Sequence, residues 1–397
     1  MPDAAALAHS DRLGALLRAR IDAAGGWIDF AQFMEGLLYT PGLGYYAAGA
    51  ARFNQAGDFT TAPEISPLFG RTLARAIAPV LQSVDAACLL EPGAGTGQLA
   101  LALLPALAAH NAVPARYLIL EPSPALREQQ AATLAALTED LRARVEWVDA
   151  FPADFRGVVL ANEVLDAMPV HLFMRQQQGV GRTTQGLLER GVAIGAGGQF
   201  VWSERPAADP WQTRLARTAL ALPPGAVFEW AATAHAWCRT LAERLLEGAV
   251  FLIDYGFAER EFFHPQRQSG TLMCHYRHHA HGDPFFMPGL QDVTAHVEFT
   301  SVAAALAGEG LQLVDFDSQG AFLLGQGLLQ TLAEDLEPGS VAWLRQTSAL
   351  QQLVSPAEMG EVFKVLVAMR DPLGKLGACV GGPGDAAVRM RLGLPMP

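Results

Sequence analysis

Apolar residues recur at helical spacing at the start of the chain, at Leu7, Leu13, Leu16, Leu17 and Ile21, and predict an N-terminal helix. A second helix is expected over residues 30–38, closed by Pro41 and Gly42. Ser66–Pro67 opens a third, with Leu68, Phe69, Leu73 and Ile77 on its apolar face and a break expected near Pro79. Then the period changes. Short apolar runs alternate with helical stretches: strand 87–91, helix 98–109, strand 117–121, helix 125–137, and strands 145–148 and 158–161.

Such alternation predicts a parallel sheet with right-handed crossovers, whose ligands sit at the carboxyl ends of the strands. It pauses after Asp166 and resumes at residues 249–254. The intervening insertion carries strand-like pieces at 170–174, 187–194 and 200–202 and a helix near 232–246, and is assigned to substrate selection. Residues 257–290, rich in His, Phe, Pro and Gly, read as a long loop or lid. Runs at 311–316 and 321–324 are expected to form the final antiparallel pair, and the Gly-rich tail from Gly381 is expected to be mobile. The division expected is a helical extension over 1–85 that contributes to the cofactor site, a Rossmann-like catalytic domain over 86–370 with insertions at 167–247 and 257–297, and a tail over 371–397.

Composition narrows the function. Hydrophobic residues make up 51% and charged residues 17% of 397, a globular balance. The net charge of -12 argues against a nucleic-acid partner, because phosphate binding draws on clustered Lys and Arg. The longest apolar stretch, 99–109, falls short of the roughly 20 residues a membrane helix needs. Cys88, Cys238, Cys274 and Cys379 are far apart, so neither a zinc knuckle nor a disulfide scaffold is indicated. With no signal-like N-terminus, a cytoplasmic location is expected. His275, His278, His279 and His281 crowd together without a recognised ligand spacing, and no metal is expected.

The first strand of the alternation ends in Glu91 and runs into Pro92-Gly93-Ala94-Gly95-Thr96-Gly97 before a helix, and Glu91 and these glycines, with Asn162 after the fourth strand, are expected to bind the cofactor. Glycines there let backbone approach a ligand where a Cβ would collide. The dinucleotide pattern needs Gly or Ala one position later, where Gln98 stands, so the spacing favours S-adenosylmethionine (SAM) over NAD. Glu121 ends the next strand, where an acid can accept from both ribose hydroxyls. Asp149 ends the third, where it or the adjacent backbone could accept from the adenine amino group. A helix-start acid at Glu121 and a plain loop acid at Asp149 are the structural alternatives.

After the fourth strand, Asn162-Glu163-Val164-Leu165-Asp166-Ala167-Met168-Pro169-Val170-His171 brings two carboxylates, Glu163 and Asp166, to the same sheet edge. Paired carboxylates suit a guanidinium, holding its plane by bidentate hydrogen bonds. The proton lost on methylation could pass to His171 or to either acid. Loop acids, with Glu163 capping a helix, are the alternative.

With Pro41-Gly42-Leu43-Gly44-Tyr45-Tyr46, Gly57-Asp58-Phe59-Thr60-Thr61-Ala62-Pro63-Glu64, Ile253-Asp254-Tyr255-Gly256, the run Asp292 to Phe299 and the run Met359 to Lys364, these motifs resemble the MidA family from about residue 33 to 369. Val164-Leu165, where relatives often carry aromatics, and Ala94, where proline is frequent, depart from its pattern. The resemblance implies a class I SAM-dependent methyltransferase fold and methylation of a protein arginine. In the family's mitochondrial members the target is an arginine of a respiratory complex I subunit and the product symmetric dimethylarginine. A homodimer is compatible with it. A small-molecule methyltransferase and a SAM-binding assembly factor without turnover stay open as alternatives.

Overall fold

The computed structural model describes residues 2–48, 60–176, 186–377, 379 and 381–396. The chain forms two compact units, each drawn from three stretches: Met1–Phe59, Leu165–His235 and Glu259–Glu298 in one, Thr60–Val164, Ala236–Ala258 and Phe299–Pro397 in the other. They cut across a division at residues 85 and 370.

The second unit is a Rossmann-like α/β layer structure. Its strands are β1 (Cys88–Pro92), β2 (Tyr117–Leu120), β3 (Val145–Val148), β4 (Phe155–Asn162), β5 (Leu245–Phe257), β6 (Gln312–Ser318) and β7 (Phe363–Arg370). They lie in the order β6-β7-β5-β4-β1-β2-β3. β1 to β5 are parallel where they pair, and β7 runs antiparallel between β5 and β6. Strand order reverses between the neighbours β1 and β4, so the crevice at their carboxyl ends is a topological switch point.

Leu89, Val158, Leu160, Phe251, Val365 and Val367 are all fully buried in this unit's core. Helices Pro67–Ser83 and Gln98–Ala109 pack together. Gly70 permits the close approach, because a Cβ there would lie 2.9 Å from that of Ala102. The first helix passes through Pro79 instead of breaking at it, and the Ser83 hydroxyl bonds the Pro79 carbonyl at 2.8 Å. Residues 321–324 are helical, in Gln319–Gly325, with Ala321 N–H capped by Ser318 Oγ. A four-residue apolar run does not by itself separate a strand from a buried helix. The true final pair is β6 with β7. In the tail, helix Asp385–Leu392 packs on β6, and Thr300 Oγ1 bonds the Leu392 carbonyl.

In the first unit, helices Ala4–Ala23 and Phe30–Tyr39 share one core with the inserted sheet, through Leu13, Leu17, Phe33, Leu172, Val192 and Phe200. That sheet joins Ile28–Asp29, Leu187–Ile194, His171–Arg175 and Val227–Trp230 in this order, with Phe200–Pro206 also on Leu187–Ile194. Residues 257–290 are more regular than expected: Met273–Tyr276 pairs antiparallel with His279–His281 and with Asp292–Thr294. Arg277 and His278 form the two-residue turn, both with positive φ (49° and 62°). Positive φ at both central residues is what a two-residue type I′ hairpin requires, here without the Asn-Gly signal that normally announces it.

Candidate active site

The loop after β1 is built on three left-handed glycines, Gly93 (φ 63°), Gly95 (φ 52°) and Gly97 (φ 82°), the last being the N-cap of helix Gln98–Ala109. Other residues pay for such a backbone. A Cβ on Gly95 would meet nothing within 4 Å, so this face of the loop is open to a ligand. Thr96 Oγ1 donates to Glu64 Oε1 at 3.1 Å, and Glu64 Oε2 accepts from the Thr61 N–H at 3.3 Å. The short helix Ala62–Ile65 thereby braces the glycine loop. Glu64 belongs to the motif starting at Gly57, whose residues 57–59 lie outside the described residues.

Glu91, Glu121 and Asp149 end or follow successive strands but sit in different surroundings. Glu91 is buried and accepts from the Tyr117 hydroxyl at 2.6 Å; burial pushes its carboxyl up to about 7 despite that bond. Glu121 is also buried, and burial raises its pKa against the lowering bonds from the Ser123 N–H to Oε1 (2.9 Å) and from Gln130 Nε2 to Oε2 (3.2 Å). A carboxylate offers about four acceptor sites, so each oxygen keeps capacity for a hydroxyl donor. Asp149 is 90% exposed and paired with Arg127 at 2.5 Å. Arg127 also bonds the carbonyls of Glu121 and Val148, tying the ends of β2 and β3 together.

At the end of β4, Asn162 Nδ2 donates to Glu163 Oε1 at 2.9 Å, while the buried Asn162 Oδ1 has no partner among the described residues. Glu163 adopts left-handed backbone (φ 54°), a conformation that costs a non-glycine residue energy and concentrates at functional sites. β5 enforces the turn. Its Ile253 carbonyl accepts from the Glu163 N–H at 2.9 Å, and the buried Asp254 accepts from the Val164 N–H at 3.2 Å through Oδ2. Gly93 faces this turn, since a Cβ there would lie 3.3 Å from Val164 Cγ2. Glycine cradle, carboxylate acceptor and unpartnered amide oxygen fit a nucleoside-type ligand with hydroxyl and amino donors, as SAM is.

Asp166 and His171 belong to the first unit. Asp166 is buried, and its carbonyl accepts from the Ala295 N–H. Nearby, Tyr46 donates to Asp292 Oδ1 at 2.9 Å and stacks on Tyr39, whose hydroxyl bonds the Ala167 carbonyl. Burial, then Asp292 and Asp166, push the Tyr46 phenol well above its ordinary value. His171 Nδ1 lies 3.0 Å from Glu189 Oε1, with its ring against Trp211 and Phe173. Asp29, His171 and Glu189 bring ligand atoms within 4.8 Å of one another. Among the described residues the histidines of the 276–279 hairpin form no such group.

Of the residues expected at the site, the glycines, Glu121, Asn162 and Glu163 lie in one unit at a single sheet edge. Gln130 and Asp254 join that edge without having been expected there, while Glu64 lies in the segment 58–64 expected to border the cofactor and acquires its role, a bond to Thr96, only in the fold. Asp254 and Glu64 stand in motifs the sequence displays, but nothing in the spelling says what they hold.

Residues 72–316 match a family model described as "Putative S-adenosyl-L-methionine-dependent methyltransferase". A COG1565 superfamily member from Burkholderia thailandensis, crystallised bound to S-adenosyl-homocysteine, is 46% identical with a TM-score of 0.89, over 98% of this chain and 97% of that one. Among curated proteins, a mitochondrial protein arginine methyltransferase NDUFAF7 homolog of Drosophila melanogaster is 29% identical over 92% of this chain and 87% of its own length. The mitochondrial NDUFAF7 of Danio rerio is 28% identical over 86% and 83%. These relatives are named as mitochondrial proteins, which overturns the cytoplasmic location expected from the N-terminal residues; residue types in that segment do not by themselves fix a compartment. Sheet topology, glycine cradle and family match agree on a class I methyltransferase fold with SAM as cofactor, and the chain belongs to the MidA family of SAM-dependent methyltransferases.

Proposed function

We propose that the chain is a protein arginine N-methyltransferase that forms symmetric dimethylarginine on a subunit of respiratory complex I. The observation that carries the reading is the turn after β4. Glu163 stands there in left-handed backbone, its carboxylate bonded by Asn162, beside the glycine loop that faces Val164. The names of the curated relatives support a protein arginine as acceptor.

SAM, when bound, supplies an electrophilic methyl group on a sulfonium sulfur. Gly93, Gly95 and Gly97 would admit it close to backbone, Glu121 would accept from its ribose hydroxyls, Asp149 or the backbone beside it would accept from the adenine amino group, and Asn162 Oδ1 would take an amino donor. Glu91, bonded to Tyr117, fixes the strand end beneath. Glu163 and Asp166 hold the acceptor guanidinium through its N–H groups and keep positive charge away from the attacking nitrogen. The proton that the acceptor nitrogen loses as it takes the methyl group from the sulfonium sulfur, which leaves as the neutral thioether, would pass to a carboxylate oxygen or to His171, whose Nδ1 is held by Glu189. The inserted segments 167–247 and 257–297 grip residues flanking the arginine.

Deletion of the gene followed by peptide mass spectrometry of the complex I subunits tests the substrate. Symmetric dimethylarginine is expected in the parent strain and lost in the deletion. Its persistence would reject the substrate. Incubating the deletion extract with purified protein and methyl-labelled SAM tests the class, with label expected on protein arginine; label on a metabolite, or none, would reject it.

A further inference from the structure

One side chain of the cofactor edge follows from no strand-end rule. Gln130, in helix Pro124–Leu134, has no accessible surface. A buried amide costs stability unless its groups are paired. Here Nε2 donates both to the Gly95 carbonyl (3.0 Å) and to Glu121 Oε2 (3.2 Å), while Oε1 accepts from Trp147 Nε1 (2.8 Å). The amide orientation is dictated by its partners: indole N–H only donates, and a carbonyl and a carboxylate only accept. One residue thus connects the glycine loop after β1, the acid after β2 and an indole on β3. The loop also touches its backbone, since a Cβ on Gly97 would lie 3.4 Å from Gln130 Cα.

No other side chain would do this. Met would fill the space but bond none of the three groups. Glu would aim a second carboxylate at two acceptors. We propose that Gln130 is a positioning residue for SAM: it fixes the Glu121 carboxylate against the Gly95 carbonyl so that Glu121's remaining lone pairs meet the ribose hydroxyls. Recognition of the ribose then depends on a residue with no surface of its own. This rests on the reading of Glu121 as the ribose acceptor.

Calorimetry with S-adenosylhomocysteine and its 2′,3′-dideoxyribose analogue separates the two claims. The parent should prefer the hydroxylated ligand, and Glu121→Gln should abolish most of that preference. Gln130→Met should weaken binding of the hydroxylated ligand about tenfold, the worth of one hydrogen bond to a charged group, and leave the analogue's affinity unchanged. If Glu121→Gln keeps the preference, the ribose reading fails and this inference with it. If Glu121→Gln loses the preference but folded Gln130→Met keeps it, or weakens both ligands alike, the ribose reading stands and Gln130 is merely structural. Should Gln130→Met not fold, Trp147→Phe decides: it removes the donor to Oε1 alone, and an unchanged preference would overturn the proposal.

Discussion

Glu91 and Glu121 stand at the ends of adjacent parallel strands, and their surroundings give them different work. Glu91 is sealed against Tyr117, with its carboxyl raised to about 7 from 4.5. Well below pH 4.5 both folded and unfolded chains hold that proton. As pH rises toward 7 the unfolded chain releases it first, so stability falls by about 1.4 kcal/mol per pH unit and levels off above 7. Glu91→Gln, which keeps an acceptor for Tyr117, should therefore match the parent below about pH 4 and exceed it by a few kcal/mol at pH 8 in urea unfolding. Parallel pH profiles would mean that Glu91 is ionised in the folded state. Glu163 and Asp166 are expected to act on the acceptor, so Glu163→Gln and Asp166→Asn should bind SAM as the parent does and lose turnover on the order of 100-fold. Parental turnover in both folded variants would move the acceptor pocket elsewhere.

Among elements, the short helix Ala62–Ile65 shows how a small piece serves the cofactor edge. Glu64 joins its own N-terminus to Thr96 of the glycine loop. Glu64→Ala should lose the bond to Thr61, worth about 1 kcal/mol of stability, and should also loosen SAM binding because Thr96 loses its anchor. A thermal shift without a change in SAM affinity would reduce the helix to scaffolding. The elements of the βαβ run were legible because their periodicity is strong: helix Gln98–Ala109 and strand Val145–Val148 fall where the pattern puts them. The 321–324 run was not, because apolar positions so few fit either period. β7 drew no strand assignment although Phe363, Val365, Leu366 and Val367 are buried in it. Its two partners lie far upstream or beyond a helix, and only pairing with both β5 and β6 makes it a central strand.

For the whole molecule, the net charge of -12 bears on how a basic acceptor segment arrives. Long-range attraction assists encounter and is screened within about 8 Å at physiological salt. Raising ionic strength from about 0.05 to 0.5 M should therefore raise KM for a basic peptide several-fold with kcat little changed. An unchanged KM would leave recognition to local contacts of the inserted segments.

What the sequence by itself determined is the chemistry carried by adjacent residues and strong periodicity: the parallel α/β layer, the left-handed glycine loop, Glu121 at the next strand end, and the Asn162–Glu163 turn. What only the tertiary structure decided is everything that needs distant residues to meet. Residues 1–59 share a compact unit with the insertion, Glu64 and Asp254 brace turns they do not belong to, and Gln130 bonds three strand ends at once. The reason is physical: a hydrogen bond is fixed by distance and angle in space, and a sequence states those only for neighbours along the chain.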